Sequence, residues 1–302
     1  MSYLNPNKRH DFVYIFDVKD GNPNGDPDAG NLPRVDPETM EGLVSDVCLK
    51  RKIRNWVAMT QEDKNIYVEE QGILYNQQEE AYEDLDLDKD ANDRTSHEKA
   101  RQWMCQNFFD VRTFGAVMST SEFNCGQVRG PVQLTFGRSV DPIVPMDMSI
   151  TRVAVTKPED ARSQTQEDVP EEGSGSNKMT EMGRKQLVPY GLYVAQGFFN
   201  PFLADDTGMT REDLEIFWEA LQKMWDFDRS ASKGLMACRG LHVFSHEKKT
   251  GNAPAHKLFD KVIIEKEEGI STPRSVDDYK IEIDKKSLPE RVELHSLSDS
   301  IK

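Results

Sequence analysis

The chain of 302 residues is short of several things, and each shortage narrows what it can be. Its four cysteines, Cys48, Cys105, Cys125 and Cys238, show no C-x-x-C spacing, so neither a zinc site nor a disulfide framework is expected. They read as reduced, mostly buried thiols. It has no long apolar run, and the opening MSYLNPNKRHDF lacks the hydrophobic stretch and cleavage site of a secretory signal. The expectation is a cytoplasmic protein with no membrane span. Positive charge is also scarce: 38 Lys and Arg stand against 53 Asp and Glu, a net charge of −15. Spread evenly, that is the wrong sign for gripping nucleic acid.

The charge is not spread evenly. Residues 61–100 carry thirteen acids against four bases, and residues 156–177 carry six against two, so these stretches hold −13 of the −15. The remainder is nearly neutral, with basic side chains gathered at Lys50, Arg51, Lys52 and Arg54 and again at Lys178, Arg184 and Lys185. Exposed charges more than about 8 Å apart are largely screened at physiological salt, so local clustering decides whether a basic groove exists.

Hydrophobic patterning gives the order of elements. DFVYIFDV at 11–18 reads as a buried strand running into the turn-rich loop DGNPNGDPDAGNLP. Asp36 and Pro37 supply an N-cap and first-turn proline for a helix reaching Met59, with Met40, Leu43, Val44 and Val47 as its stripe. Residues 60–94 look like an acidic projection, followed by a helix capped by Thr95 or Ser96, with Glu98 completing a capping box. Alternating Val132, Leu134 and Phe136 mark a half-buried strand over 130–138, and residues 158–177 read as a mobile hairpin tip.

VPYGLYVAQGFF gives a third strand. Thr210 caps a helix whose Leu214, Phe217, Leu221 and Trp225 form an apolar stripe, and LMACRGLHVFSH is a fourth strand. KVIIE and YKIEI add two more near the C-terminus. The plan is α+β: a ferredoxin-like or RRM-like βαββαβ core in one decorated domain over 1–302. A finger-like acidic insertion spans 60–110, a thumb-like hairpin spans 142–188, and residues 256–302 are expected to pack on the core. Such a plan serves enzymes and regulatory domains as well as RNA binders.

Four segments carry a family resemblance: DGNPNGDPDAGNLPRVD at 20–36, CLKRKIRN at 48–55, DVRTFGAVM at 110–118, and GPVQLTFGRSVDPI at 130–143 taken with MGRKQLVPYGLY at 182–193. With them the chain resembles the backbone subunits of type I CRISPR surveillance (Cascade) complexes in the RAMP superfamily, the type I-C branch in particular. The resemblance implies a non-catalytic subunit that binds guide RNA (crRNA), lines up head to tail with copies of itself and with other Cascade subunits, and presents the guide for pairing with target DNA. Cutting would fall to a recruited nuclease-helicase, and no cofactor or metal is implied.

The site residues follow from chemistry and resemblance together. Small residues around Asn22 and Asn24 let backbone N–H groups approach phosphate. Lys50 and Arg54 share a helical face with Arg51 on its shoulder, a spacing that fits consecutive phosphates or a solvated helix face. Arg112 and Phe114 offer a guanidinium and a ring, for a phosphate and a base or for an ion pair and the core. Arg138 and Arg239 carry the same two readings. In the thumb, Met179, Met182 and Leu187 are candidate apolar wedges beside Arg184 and Lys185.

Two rivals remain at this level. The first, a guide-processing endoribonuclease, would need paired histidines, of which His10 near Tyr14 and His242 near His246 are the nearest approaches. Asp17, Asp20, Asp26 and Asp28 could offer the converging carboxylates of a metal-dependent nuclease, a reading that the type I resemblance sets aside. A ferredoxin-like regulatory or metabolic protein with no RNA role is the second rival.

Overall fold

Strand β1 (His10–Gly21) is buried almost throughout, and its alternating side chains serve two different cores. Phe12, Tyr14, Phe16 and Val18 point into the larger one, while Val13 and Ile15 point into a second core across the sheet. The computed structural model describes residues 1–88, 94–119, 121–152, 154 and 181–298, so the expected hairpin tip at 158–177 lies outside the described residues.

After β1 come the short pair β2 (Gly25–Asp26) and β3 (Leu32–Pro33), then β4 (Glu41–Val44) and helix α1 (Asp46–Thr60). Helices α2 (Leu74–Asp84), α3 (Arg94–Asn107) and α4 (Phe109–Phe114) follow, then strands β5 (Gly115–Val117), β6 (Gln127–Arg129), β7 (Val132–Leu134), β8 (Gly137–Pro142) and β9 (Met146–Arg152). Strand β10 (Glu181–Phe199), helices α5 (Pro201–Thr207) and α6 (Arg211–Phe227), β11 (Leu235–His246) and α7 (Ala255–Phe259) lead to β12 (Val262–Lys266), β13 (Tyr279–Ile283) and β14 (Val292–Ser296).

The main sheet is antiparallel with the order β14-β11-β1-β10-β8-β4; β7 and β9 pair with opposite halves of β10. Helices α1 and α6 cover one face. From α1 come Leu49, Ile53, Trp56 and Val57, and from α6 the expected Leu214, Phe217, Leu221 and Trp225, all buried. Thr210 caps α6 in a full capping box with Asp213.

The C-terminal region closes the opposite face. Leu258, Phe259, Val276, Tyr279 and Val292 pack on Val13, Ile15, Leu192 and Phe244, and β14 adds an edge strand to β11 that the sequence pattern does not reveal. Residues 67–128 build a satellite core around Tyr67, Ala81, Tyr82, Met104, Phe108 and Phe123.

Several expectations need correction. Helix α1 starts at Asp46, with Ser45 as N-cap accepting from the Cys48 N–H at 3.2 Å, rather than at Asp36–Pro37. Met40 has a left-handed φ of 59°, which an α-helix does not continue through, and residues 41–44 pair with β8 instead. Thr95 and Ser96 lie inside α3, where Glu98 pairs with Arg101 at 2.8 Å. The expected strand over 130–138 is two strands, and Phe136 between them is 50% exposed while Val132 and Leu134 are buried.

Candidate nucleic-acid interface

The loop after β1 is braced against the start of α1. Asn24 Oδ1 accepts from the Ser45 N–H at 2.9 Å and the Ser45 hydroxyl at 3.0 Å, so it holds the N-cap residue in place. Asn22 is buried, and its Nδ2 donates to the Asn31 carbonyl at 2.7 Å. Asn24 Oδ1 and Asn22 Nδ2 are therefore spent on shaping the loop.

On α1 the basic residues separate by role. Lys50 Nζ reaches Asp46 and Gln133, each at 3.2 Å, and sits 5.8 Å from the centre of the Phe114 ring. One turn on, the Arg54 guanidinium lies 5.2 Å from the same ring and donates to the buried Asp110 carboxylate at 2.7 Å. Asp110 also accepts from the N–H groups of Tyr67 and Val68 at 2.7 and 3.1 Å, and Arg51 donates to the Val68 carbonyl at 2.6 Å. The helix, the loop at 67–68 and α4 are thus tied through one carboxylate.

Arg54, Arg112 and Phe114 are each partnered inside the protein. Arg54 is 8% exposed and neutralised by Asp110. Arg112 forms a buried fork with Asp213 and donates to the Cys105 carbonyl at 2.7 Å. Phe114 is buried edge-on against Phe217 with a centroid separation of 6.2 Å. Each has satisfied its chemistry inside the protein, because a desolvated guanidinium needs a carboxylate and an aromatic ring next to a core joins it. Lys50 and Arg51 keep donor capacity beyond the contacts just described.

The described residues expected in the thumb all lie on the first half of β10, which pairs with β9 as a two-stranded ribbon from Met146↔Leu187 to Arg152↔Glu181. Arg184 is 77% exposed and loosely paired with Asp147 at 3.3 Å; Lys185 is half-buried; Leu187 is buried at the ribbon's base. Met182 pairs with Thr151 through its backbone, and Met179 lies outside the described residues. The exposed ribbon residues Met146, Met148 and Ile150 fall on one face by strand alternation, an apolar stripe the sequence reading did not single out.

The other candidates sit in structural contacts. His10 is buried between Ser245 and the Asn5 carbonyl, and burial pushes its pKa down to about 4. Burial likewise lowers His242 to about 4, and its Nδ1 lies 3.1 Å from Ser296 Oγ. His246 is buried against Asp11 at 2.8 Å, and Asp11 also holds Arg9 at 2.9 Å. Asp17 is buried with Arg239 at 2.9 Å and the Tyr190 hydroxyl at 3.2 Å, and burial raises its pKa. Arg138 pairs with Asp36 and Glu41. Among the described residues no group of three or more His, Cys, Asp and Glu converges to hold a metal, and no helix is long and apolar enough to cross a membrane.

A mixed helix-and-strand protein with one main antiparallel sheet, two helices on one face, a C-terminal cover on the other and a basic helix beside a Gly/Asn loop is the class this geometry defines. A model of the family CRISPR-associated protein Cas7 matches residues 8–284, and the chain belongs to that family. A curated relative, CRISPR-associated protein Cas7 of Haloferax volcanii, is 24% identical over 236 residues, which cover 71% of this chain and 64% of that protein. The chain thus spans less than two thirds of that relative's length. Two solved chains, described as a CRISPR RNA-guided surveillance complex, pre-nicking, and a CRISPR RNA-guided surveillance complex, align with TM-scores of 0.47 and 0.44 and identities of 14% and 17%. Both alignments cover 78% of this chain, and they cover 78% and 68% of those chains.

Proposed function

We propose that this chain is a non-catalytic backbone subunit that binds guide RNA in a type I surveillance complex, type I-C in kind, and repeats head to tail along the guide. Its core is ferredoxin-like: β1, α1, β7 with β8, β10, α6 and β11 follow the βαββαβ order, with both helices on one face. Residues 60–110 serve as the finger and the β9–β10 ribbon as the thumb. Sequence is read by base pairing between guide and target DNA, while the protein grips the RNA backbone.

One observation carries the reading: in a chain matched to the Cas7 family over 8–284, Lys50 and Arg51 stand with donors to spare on α1, whose N-cap Ser45 is held by Asn24 of the loop at 20–36. The buried, partnered histidines disfavour an acid–base ribonuclease, which must bring its imidazoles to a 2′-hydroxyl. Incubating the purified chain with repeat RNA tests this directly. Binding that strengthens with RNA length and leaves the RNA intact supports the proposal; a defined cut would support the processing enzyme, and no retention at low salt would favour a protein without an RNA role.

A further inference from the structure

Lys233 sits in the segment between α6 and β11, and its sequence context, SASKGLM, gives no hint of a role. Its half-buried ammonium donates to the carbonyl oxygen of Pro23 at 3.0 Å, in the middle of the GNPNGDP loop more than two hundred residues away. Among the described residues no carboxylate lies within ion-pairing distance of it, because Asp228 on the same segment is taken by Lys52 at 2.8 Å. Burial lowers its pKa, with the neighbouring Lys52 adding to the fall and Asp228 working against it. A half-buried cation without a direct ion pair is costly, so its presence calls for a reason.

The position is also fixed rather than incidental. A Cβ on Gly21 would meet the Lys233 carbonyl oxygen at 2.0 Å, and one on Gly234 would meet that of Asp20 at 2.4 Å. The Asn22 N–H donates to the Ser232 carbonyl at 2.7 Å, locking the two segments together. In the same loop two buried polar atoms, Asn22 Oδ1 and Arg34 Nε, have no hydrogen-bond partner within the described chain.

We infer that Lys233 is a phosphate ligand of the RNA interface, holding the backbone of single-stranded RNA where it passes the loop at 20–36. This rests on the RNA-binding reading above. The ammonium has three donors and spends one on Pro23, leaving two for phosphate oxygens. A phosphate would supply the direct ion pair that Lys233 lacks among the described residues.

The test is a titration of the full chain with a fluorescein-labelled oligouridylate across a salt series, comparing wild type, Lys233→Met, Lys233→Arg and Lys50→Gln. Lys233→Met should flatten the log–log salt dependence by about 0.7, the value for one phosphate contact on a single strand, and Lys233→Arg should restore it. Wild-type affinity and slope in Lys233→Met, with Lys50→Gln impaired, would overturn this inference and leave the parent reading standing. A wild type that shows no salt-dependent binding would overturn both. If Lys233→Met fails to fold, acetic anhydride footprinting of the wild type decides: the oligouridylate should slow acetylation of Lys233 relative to exposed Lys286, and unchanged labelling would refute the assignment.

Discussion

Arg112 and Asp213 form a buried two-point ion pair, Nε to Oδ2 at 2.9 Å and Nη2 to Oδ1 at 2.8 Å, that joins α4 to the first turn of α6. Burial works against the Asp213 carboxylate, but Arg112 and the Thr210 cap overcome it and hold its pKa below the usual range. The same carboxylate closes the capping box of α6, so one side chain secures both a helix start and a contact between layers.

Removing one partner of such a pair leaves a buried charge alone, which costs roughly 3–5 kcal/mol. Arg112→Ala should lower stability by about that amount in urea unfolding. Its folded fraction should bind RNA with an unaltered salt slope, because Arg112 is buried and spends four of its five donors inside the protein.

Arg54 and Asp110 behave alike, with one difference. Asp110 also anchors the Tyr67 and Val68 N–H groups, so Asp110→Ala should cost more than Arg54→Ala and should raise amide exchange at 67–68 selectively. Hydrogen exchange read by mass spectrometry separates the two variants.

How far the sequence could be read follows from these pairs. Strand β11 runs from Leu235 to His246, as LMACRGLHVFSH indicates, and the Thr210 cap with its apolar stripe is local information that needs no fold. The fates of Arg54 and Arg112 are different, because their acids stand 56 and 101 positions away and only the folded chain brings them together. Lys50, Arg51 and Arg54 look equivalent in CLKRKIRN, yet burial divides them. The acidic stretch hid the satellite core because its inward positions include Gln78, bonded to the Tyr67 hydroxyl and the Met118 carbonyl, and Tyr82 rather than plain aliphatics. Strand β14 was illegible because VELHS holds only two aliphatic residues and gains its identity from pairing with β11.

Stability should fall in mild acid. The folded pKa values of His10 and His242 are lowered from 6.5 to about 4, so the native state binds fewer protons than the unfolded chain between those values. Their contribution is complete above pH 6.5 and is lost as pH falls toward 4. Each is worth on the order of 3 kcal/mol at full effect, from about 1.4 kcal/mol per pH unit. His242→Gln should therefore show a shallower loss of stability from pH 7 to pH 5 than the wild type in urea titrations.

The C-terminal cover should be integral to the fold. Leu258 is fully buried against the sheet face opposite the helices, and Leu258→Ala should cost about 2–5 kcal/mol. Dye binding to newly exposed apolar surface should rise in the same variant.

The most direct measurement is RNA retention by Lys50→Gln/Arg51→Gln across a salt series, because neither residue carries a buried ion pair whose loss would unfold the protein. Weaker binding with a slope reduced by about 1.4, two single-strand phosphate contacts, and no change in base preference is the predicted result. Affinity and slope equal to wild type in a folded double variant would contradict the assignment of α1 as the guide-gripping face.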